Sequence, residues 1–228
     1  MSVNVSFRFY EELNDFLKKQ YRKRRFIITF KGSTTIKDAI ESLGVPHTEV
    51  DLITVNGNAV NFNYRIQNND DIAVYPVYES IDISEVQLLR SHVKREPKFI
   101  LDVHLGRLVK YLRMAGFDCL YEPSFNDAEI INISVRQKRI ILTRDKGILK
   151  NGKVTHGMFI RSTIPKEQFR EVISRLQLER FIKPFYRCTA CNETIHKVEK
   201  EKIYSQLLPL TREYFSEFYQ CSGCKKIY

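Results

Sequence analysis

No apolar stretch in this chain approaches the roughly 18 residues that a membrane span needs, so a membrane partner is not expected. The start, MSVNVSFRFYEEL, also lacks the basic head, apolar run and cleavage site of a secretory leader. Both absences lead to the expectation of a cytoplasmic protein. Cysteine is scarce, with five in 228 residues, yet four of them fall into two C-x-x-C knuckles at 188–191 and 221–224. Without a secretion signal, that pairing reads as metal ligation rather than as a disulfide framework.

An acidic surplus is missing as well, and the formal charge is +10. Residues 1–80 carry ten Lys/Arg against ten Asp/Glu, whereas residues 81–228 carry 27 against 17. All of the positive excess therefore lies in the second part. Such a surface raises the local concentration of anions and suits nucleic acid, although solvated lysine faces give the same count. A chain of this length with 43% hydrophobic residues has room for one large domain or for two to three small ones.

The alternation V-N-V-S-F-R-F places Val3, Val5, Phe7 and Phe9 on one face of a strand. A second strand, FIITF, follows the basic run Lys18–Arg25, which reads as a solvated loop. Thr34 or Thr35 can cap a helix whose Ile36, Ile40 and Leu43 share a face and which Gly44 ends. DLITVNGNAV and DDIAVYPVY read as further strands, with Asn56-Gly57 as a hairpin turn. This is the element order of a β-grasp domain, expected over residues 1–80. Its V-N-G at Val55–Gly57 and D-D-I-A-V-Y-P-V at Asp70–Val77 resemble the ubiquitin-like sulfur carriers. The terminal Gly-Gly that a carrier activates is absent and about 150 residues follow, so docking to a protein partner is the expected role.

Residues 81–97 read as a linker with a helix-like S-E-V-Q-L-L-R stretch. Beyond it, strands at 98–102, 117–121 and 139–143 alternate with helices at 104–116 and 126–137. A further strand is expected at 155–160, and a helix from Pro165. Alternation of that kind predicts a parallel α/β sheet over residues 98–183. In such a sheet ligands bind outside the carboxyl ends of the strands. Asp102 and Asp145 stand there, and Asp127 opens a helix that can face the same rim. Three carboxylates brought together need a cation, and oxygen ligands suit Mg²⁺ or Mn²⁺. Arg107, Lys110, Arg113, Arg144 and Lys146 are placed to hold a phosphate backbone. Spacing leaves the plainer readings open: Asp127 as a helix cap, Asp145 as a turn former, Arg107 and Arg113 on a solvent face.

The runs D-V-H-L-G-R-L-V-K-Y-L-R-M-A-G-F-D (102–118), N-D-A-E-I-I (126–131) and R-I-I-L-T-R-D (139–145) resemble the PIN-like ribonuclease domain named for the C-terminal region of the Mut-seven exonuclease. The resemblance implies a hydrolase acting on RNA, with Asp102, Asp127 and Asp145 as its metal-binding acids. It leaves Glu129 as a weaker candidate and gives His104 no catalytic part. It also implies a zinc ribbon behind the nuclease domain and, in some members, a ubiquitin-like domain in front. The chain ends at K-K-I-Y (225–228) without the W-x-G-S-H-like tail of many members, so any nucleic-acid contact made by that tail is expected to be lost or replaced.

Cys188, Cys191, Cys221 and Cys224 complete a tetrahedral Zn²⁺ set with no open position, which predicts a structural zinc in a ribbon over 184–228. The 29 residues between Cys191 and Cys221 require an inserted hairpin or loop. Cys119 reads as a small buried apolar residue, and His196 is not needed as a ligand. Arg187, Lys197, Lys200, Lys202, Lys225 and Lys226 around the ribbon suit RNA, but the ribbon serves equally well as a fold staple. The expectation is a multidomain α+β and α/β protein, comprising β-grasp, PIN-like sheet and zinc ribbon, that acts as a metal-dependent ribonuclease. Two alternatives stand beside it: a non-catalytic RNA-binding adaptor, and an accessory of RNA-modification or sulfur-transfer machinery that docks through the β-grasp domain.

Overall fold

The computed structural model describes residues 2–76, Leu89 and 97–228. The expected linker, with its helix-like stretch, lies outside the described residues except for Leu89 and Pro97. Two compact units are present: Met1–Arg95 with Thr143–Phe159, and Glu96–Leu142 with Ile160–Tyr228. By compactness, Thr143–Phe159 is grouped with the first unit.

The first unit opens with β1 (Ser2–Phe9), β2 (Phe26–Lys31), α1 (Ile36–Ser42), β3 (Val50–Val55), β4 (Asn58–Ala59) and β5 (Asp71–Pro76). Val5, Phe7 and Phe9 are buried while Arg8 is exposed, as period-two alternation requires. The sheet runs β2-β1-β5-β3-β4, and its central pair, β1 and β5, is parallel. Antiparallel partners flank that pair, which makes the β-grasp arrangement. Asn56 and Gly57 form the β3–β4 turn. The Thr35 side chain accepts from the Asp38 backbone N–H at 3.1 Å and caps α1. Ile36 and Ile40 of α1 join Phe7, Ile53, Ile72 and Val74 in the core.

The second unit begins with β6 (Lys98–Leu101), α2 (Gly106–Met114), β7 (Asp118–Leu120), α3 (Asp127–Gln137) and β8 (Ile140–Thr143). A 3-10 turn, Val103–Leu105, leads into α2. β6 pairs in parallel with both β7 and β8, through Phe99↔Cys119 and Phe99↔Ile140. Phe99, Ile100, Ile141 and Leu142 are fully buried, which explains why these strands read as apolar runs rather than as alternations. Leu108, Val109 and Leu112 form the buried face of α2, whereas Met114 is exposed. In L-G-R-L, a side chain at Gly106 would strike the Tyr121 hydroxyl, which donates to the Val103 carbonyl at 3.0 Å.

α4 (Lys146–Lys150) and β9 (Gly157–Phe159) pack with the β-grasp elements. Phe159 meets Phe16 edge to face at 5.5 Å, and its backbone N–H donates to the Glu49 carboxylate at 2.6 Å. Lys150 donates to the Glu41 carbonyl at 2.8 Å. Buried His47 bridges the Glu41 carboxylate at 2.6 Å and the Val154 carbonyl at 2.8 Å. A carbonyl only accepts, so Nε2 carries a proton.

The second unit resumes with α5 (Pro165–Arg175), which starts at a proline suited to the first helical position and packs on α2. It ends with β10 (Ile195–Val198), α6 (Lys200–Ile203), α7 (Pro209–Tyr214) and β11 (Phe218–Cys221). β10 and β11 form an antiparallel ribbon. The insertion between the knuckles is this hairpin, as expected, with α6 and α7 carried between its two strands. Lys200 caps its exit by donating to the Arg212 and Phe215 carbonyls. Among the described residues no helix is long and apolar enough to cross a membrane.

Candidate functional site

The ligand atoms of Cys188, Cys191, Cys221 and Cys224 lie within 4.8 Å of one another. Cys188 and Cys224 sulfurs are 3.6 Å apart, and those of Cys191 and Cys221 3.3 Å. Both separations far exceed a disulfide bond. They approach the edge of about 3.8 Å that four Zn–S bonds of roughly 2.3 Å would give a tetrahedron. The two knuckles share a backbone device: Asn192 and Lys225, each just after the second cysteine, have φ of 70° and 61°. This left-handed step lets the chain fold back, so that Asn192 N–H reaches the Cys188 carbonyl and Cys221 N–H the Lys226 carbonyl, each at 3.0 Å. Burial opposes charge on the Cys188 thiol. Hydrogen bonding with the Tyr228 hydroxyl and the Cys191 and Ala190 backbone outweighs it and brings the thiol down to about 6. The donor set fits a metal such as zinc. His196 is exposed beside Thr194 and takes no part.

The first knuckle is fastened to the sheet of β6, β7 and β8. Arg113 is only 6% exposed, and its guanidinium donates to the carbonyls of Cys119, Thr189 and Ala190. The expectation that Arg113 contacts phosphate is corrected accordingly: its donors are committed to backbone carbonyls inside the unit. Asp118, which sequence reasoning passed over, receives Arg139 at 2.7 Å and Asn192 at 2.9 Å. Burial works against its charge, but those two hydrogen bonds, with the charges of Arg139 and Arg187, hold the carboxyl below its ordinary value. The missed signal was an acid in F-D-C-L with an arginine opening the next strand. Burial pushes the Cys119 thiol up, in keeping with its apolar reading.

The three expected acids take different local positions. Asp102 follows β6, is 4% exposed, and caps the Val103–Leu105 turn by accepting from the His104 N–H at 3.3 Å. Asp145 lies two residues past β8, in the segment that packs with the first unit, and caps α4 by accepting from the Gly147 N–H at 2.6 Å. Asp127 is the first residue of α3. It is not the cap, as one reading allowed; Asn126 is, and Glu129 closes the capping box by accepting from the Asn126 N–H. The exposed Asp127 carboxylate has no hydrogen bond or ion pair among the described residues. Among the described residues, the four cysteines are the group of three or more potential ligands that is gathered, and no carboxylate joins such a group.

Of the expected phosphate contacts, Arg107 is exposed on α2, as is Lys110, and Arg144 is half-buried. The Lys146 ammonium sits 4.9 Å over Phe16 and 5.5 Å over Phe159. His104 is exposed.

Residues 97–228 match the family described as the Mut7-C RNAse domain, and residues 2–82 match the one described as Mut7-C ubiquitin. Among solved structures, SAMP1 from Haloferax volcanii aligns at 16% identity over 34% of this chain and 99% of its own, with a TM-score of 0.27. No curated protein matches.

Proposed function

The chain belongs to the Mut7-C RNAse domain family, and from that premise we propose that it is a metal-dependent ribonuclease hydrolysing RNA phosphodiester bonds, with a PIN-like nuclease sheet. Asp102, Asp127 and Asp145 are its catalytic carboxylates and would hold Mg²⁺ or Mn²⁺. The observation that carries this is positional: each acid follows the carboxyl end of one of the three parallel strands β6, β7 and β8, the rim where open α/β sheets bind ligands. The partnerless Asp127 carboxylate supports it, since the acid is not consumed by the capping of its own helix. The bound ion would supply Lewis-acid stabilisation of phosphate charge and an acidified water. The exposed cations Arg107 and Lys110 would position the RNA backbone without reading sequence. Arg144 and Lys146 flank Asp145 in the chain and would meet the same phosphates. Zinc on Cys188, Cys191, Cys221 and Cys224 is structural, because four thiolates leave no open position.

One observation favours a second reading, a non-catalytic RNA-binding adaptor: Asp102 and Asp145 already have local work as caps. Single-turnover cleavage of assorted RNAs with and without Mn²⁺ separates the two. Asp102→Asn and Asp145→Asn are each expected to slow cleavage by on the order of 100-fold. Equal cleavage by both variants and the unaltered chain removes the three-aspartate site. Salt-sensitive binding without cleavage in all three establishes the adaptor. The β-grasp unit would serve a protein partner in either case, in the cytoplasm.

A further inference from the structure

The stretch between α5 and the first knuckle, R-F-I-K-P-F-Y-R (180–187), alternates three cations with three aromatic rings. Globular proteins normally bury such rings, yet here Tyr186 is 40% and Phe185 58% exposed. The cations lie against the rings: Lys183 Nζ is 5.8 Å and the Arg187 guanidinium 5.3 Å from the Tyr186 ring centre. Backbone bonds fix the strap at both ends. Lys183 N–H donates to the Ala115 carbonyl at 2.8 Å, and Ile195 N–H donates to the Tyr186 carbonyl at 3.1 Å. Gly116 makes the first approach possible, because its φ is 97° and a Cβ there would run into the Lys183 carbonyl.

Between this strap and the sheet lies a shallow, open concavity whose lining includes Lys98, Phe117, Asp118, Lys183, Tyr186 and Arg187. Its one carboxylate, Asp118, is hydrogen-bonded by Arg139 and Asn192 and lies 4.0 Å from Arg187, and the three cations of the lining, Lys98, Lys183 and Arg187, outnumber it. The Arg187 guanidinium donates through Nη1 to the Asn192 carbonyl at 3.1 Å, while its buried Nε has no hydrogen-bond partner. A cationic concavity walled by an exposed, backbone-anchored ring suits a group with a flat apolar face and an anionic tail.

We propose that this concavity binds a nucleotide of single-stranded RNA, with the base against Tyr186 and the flanking phosphates on Lys98, Lys183 and Arg187. The inference rests on the RNA reading above and adds the class of strand, because a ring can stack on a base only where that base has left its duplex. It also gives the basic surplus of the second part a place to act.

The test is fluorescence anisotropy of the full zinc-loaded chain with a labelled oligouridylate of about 12 nucleotides, beside a duplex of equal length. Tyr186→Ala is expected to weaken single-strand binding about 10-fold, and Tyr186→Phe, which keeps the ring, to stay within about twofold. Lys183→Gln should weaken it about threefold and lower the salt slope by about 0.7. Zinc content and melting temperature verify the fold. Should Tyr186→Ala not fold, the Lys98→Gln/Lys183→Gln pair reads the same pocket, and unchanged single-strand affinity in it overturns the proposal. Equal affinity of Tyr186→Ala and the unaltered chain overturns it too, as does a loss shared equally with the duplex. Polyglutamate binding that matches RNA and ignores Tyr186→Ala would indicate a general anion surface and also overturn it. An unaltered chain that neither binds nor cleaves RNA sinks the RNA reading itself, whereas one that cleaves normally with Tyr186→Ala unaffected sinks only the pocket.

Discussion

The four cysteines and the three aspartates are both sets of candidate metal ligands, and the fold treats them differently. Each cysteine pair sits on a short turn whose own backbone bonds aim both sulfurs inward, and the β10–β11 ribbon brings the two turns together. The aspartates lie one in each segment that follows β6, β7 and β8, and two of the three are engaged as caps there. The cysteine cluster is thus assembled by two turns and a hairpin, while the proposed rim of carboxylates would depend on how a whole sheet and its loops are held. The first should withstand changes elsewhere in the chain, and the second should be sensitive to them.

The largest test of this contrast is removal of the cysteine site. Structural zinc contributes on the order of 10 kcal/mol in small domains, and the ribbon has little core of its own beyond Ile195, Ile203, Leu207 and Phe218. Cys221→Ser, or a strong chelator, is expected to release one zinc per chain in a colorimetric assay and to open residues 184–228 to protease. Because Arg113 and Asn192 tie the first knuckle to β7, loosening should extend to that strand in hydrogen exchange. Protection of β7 that is unchanged would show the ribbon to be a detached module.

Next in size is Asp118→Asn, which strips the charge partner from a nearly buried Arg139 and should cost about 3 kcal/mol in urea unfolding. The Asp118 carboxyl is held below its ordinary value, so the stability it contributes is present above the unfolded value of about 4 and is lost as pH falls through the lower folded one. The unaltered chain should therefore lose stability in acid more steeply than the variant. Parallel curves would remove Asp118 as the link between knuckle and sheet.

How far sequence reasoning reached follows the same division. The knuckles, the β-grasp order and the buried parallel strands were legible because each is a local pattern: C-x-x-C, alternation in V-N-V-S-F-R-F, and the apolar runs ahead of Asp102 and Asp145. Arg113 was misplaced because a helix position says nothing about carbonyls 76 residues away, and those decided its burial. Asp118 was missed for the same reason, its partners Arg139 and Asn192 being remote in sequence. That the Thr143–Phe159 segment, inside the stretch matched as nuclease, also packs with the β-grasp elements was not legible, because His47, Glu49 and Phe16, which hold it, carry no motif.

That packing gives the third prediction. His47→Phe keeps a ring of similar width but loses the hydrogen bonds to Glu41 and Val154, at a cost of about 2 kcal/mol. Hydrogen exchange should rise in residues 143–159, which carry Asp145, while the cysteine ribbon keeps its protection. Equal exchange in variant and unaltered chain would show the anchor to be dispensable.

The smallest effect separates two acids only two residues apart. Glu129→Ala opens the capping box of α3 and should cost about 1 kcal/mol in thermal unfolding, leaving Mn²⁺-dependent cleavage intact. Asp127→Asn should do the reverse, because its carboxylate takes no part in the cap. It should change stability by only a few tenths of a kcal/mol, mainly through the helix dipole, and depress cleavage. If the pattern were inverted, with Glu129→Ala inactive and Asp127→Asn normal, the carboxylate rim would have to be rebuilt around Glu129. The capping geometry argues against that, because Glu129 already receives the Asn126 N–H at 2.9 Å.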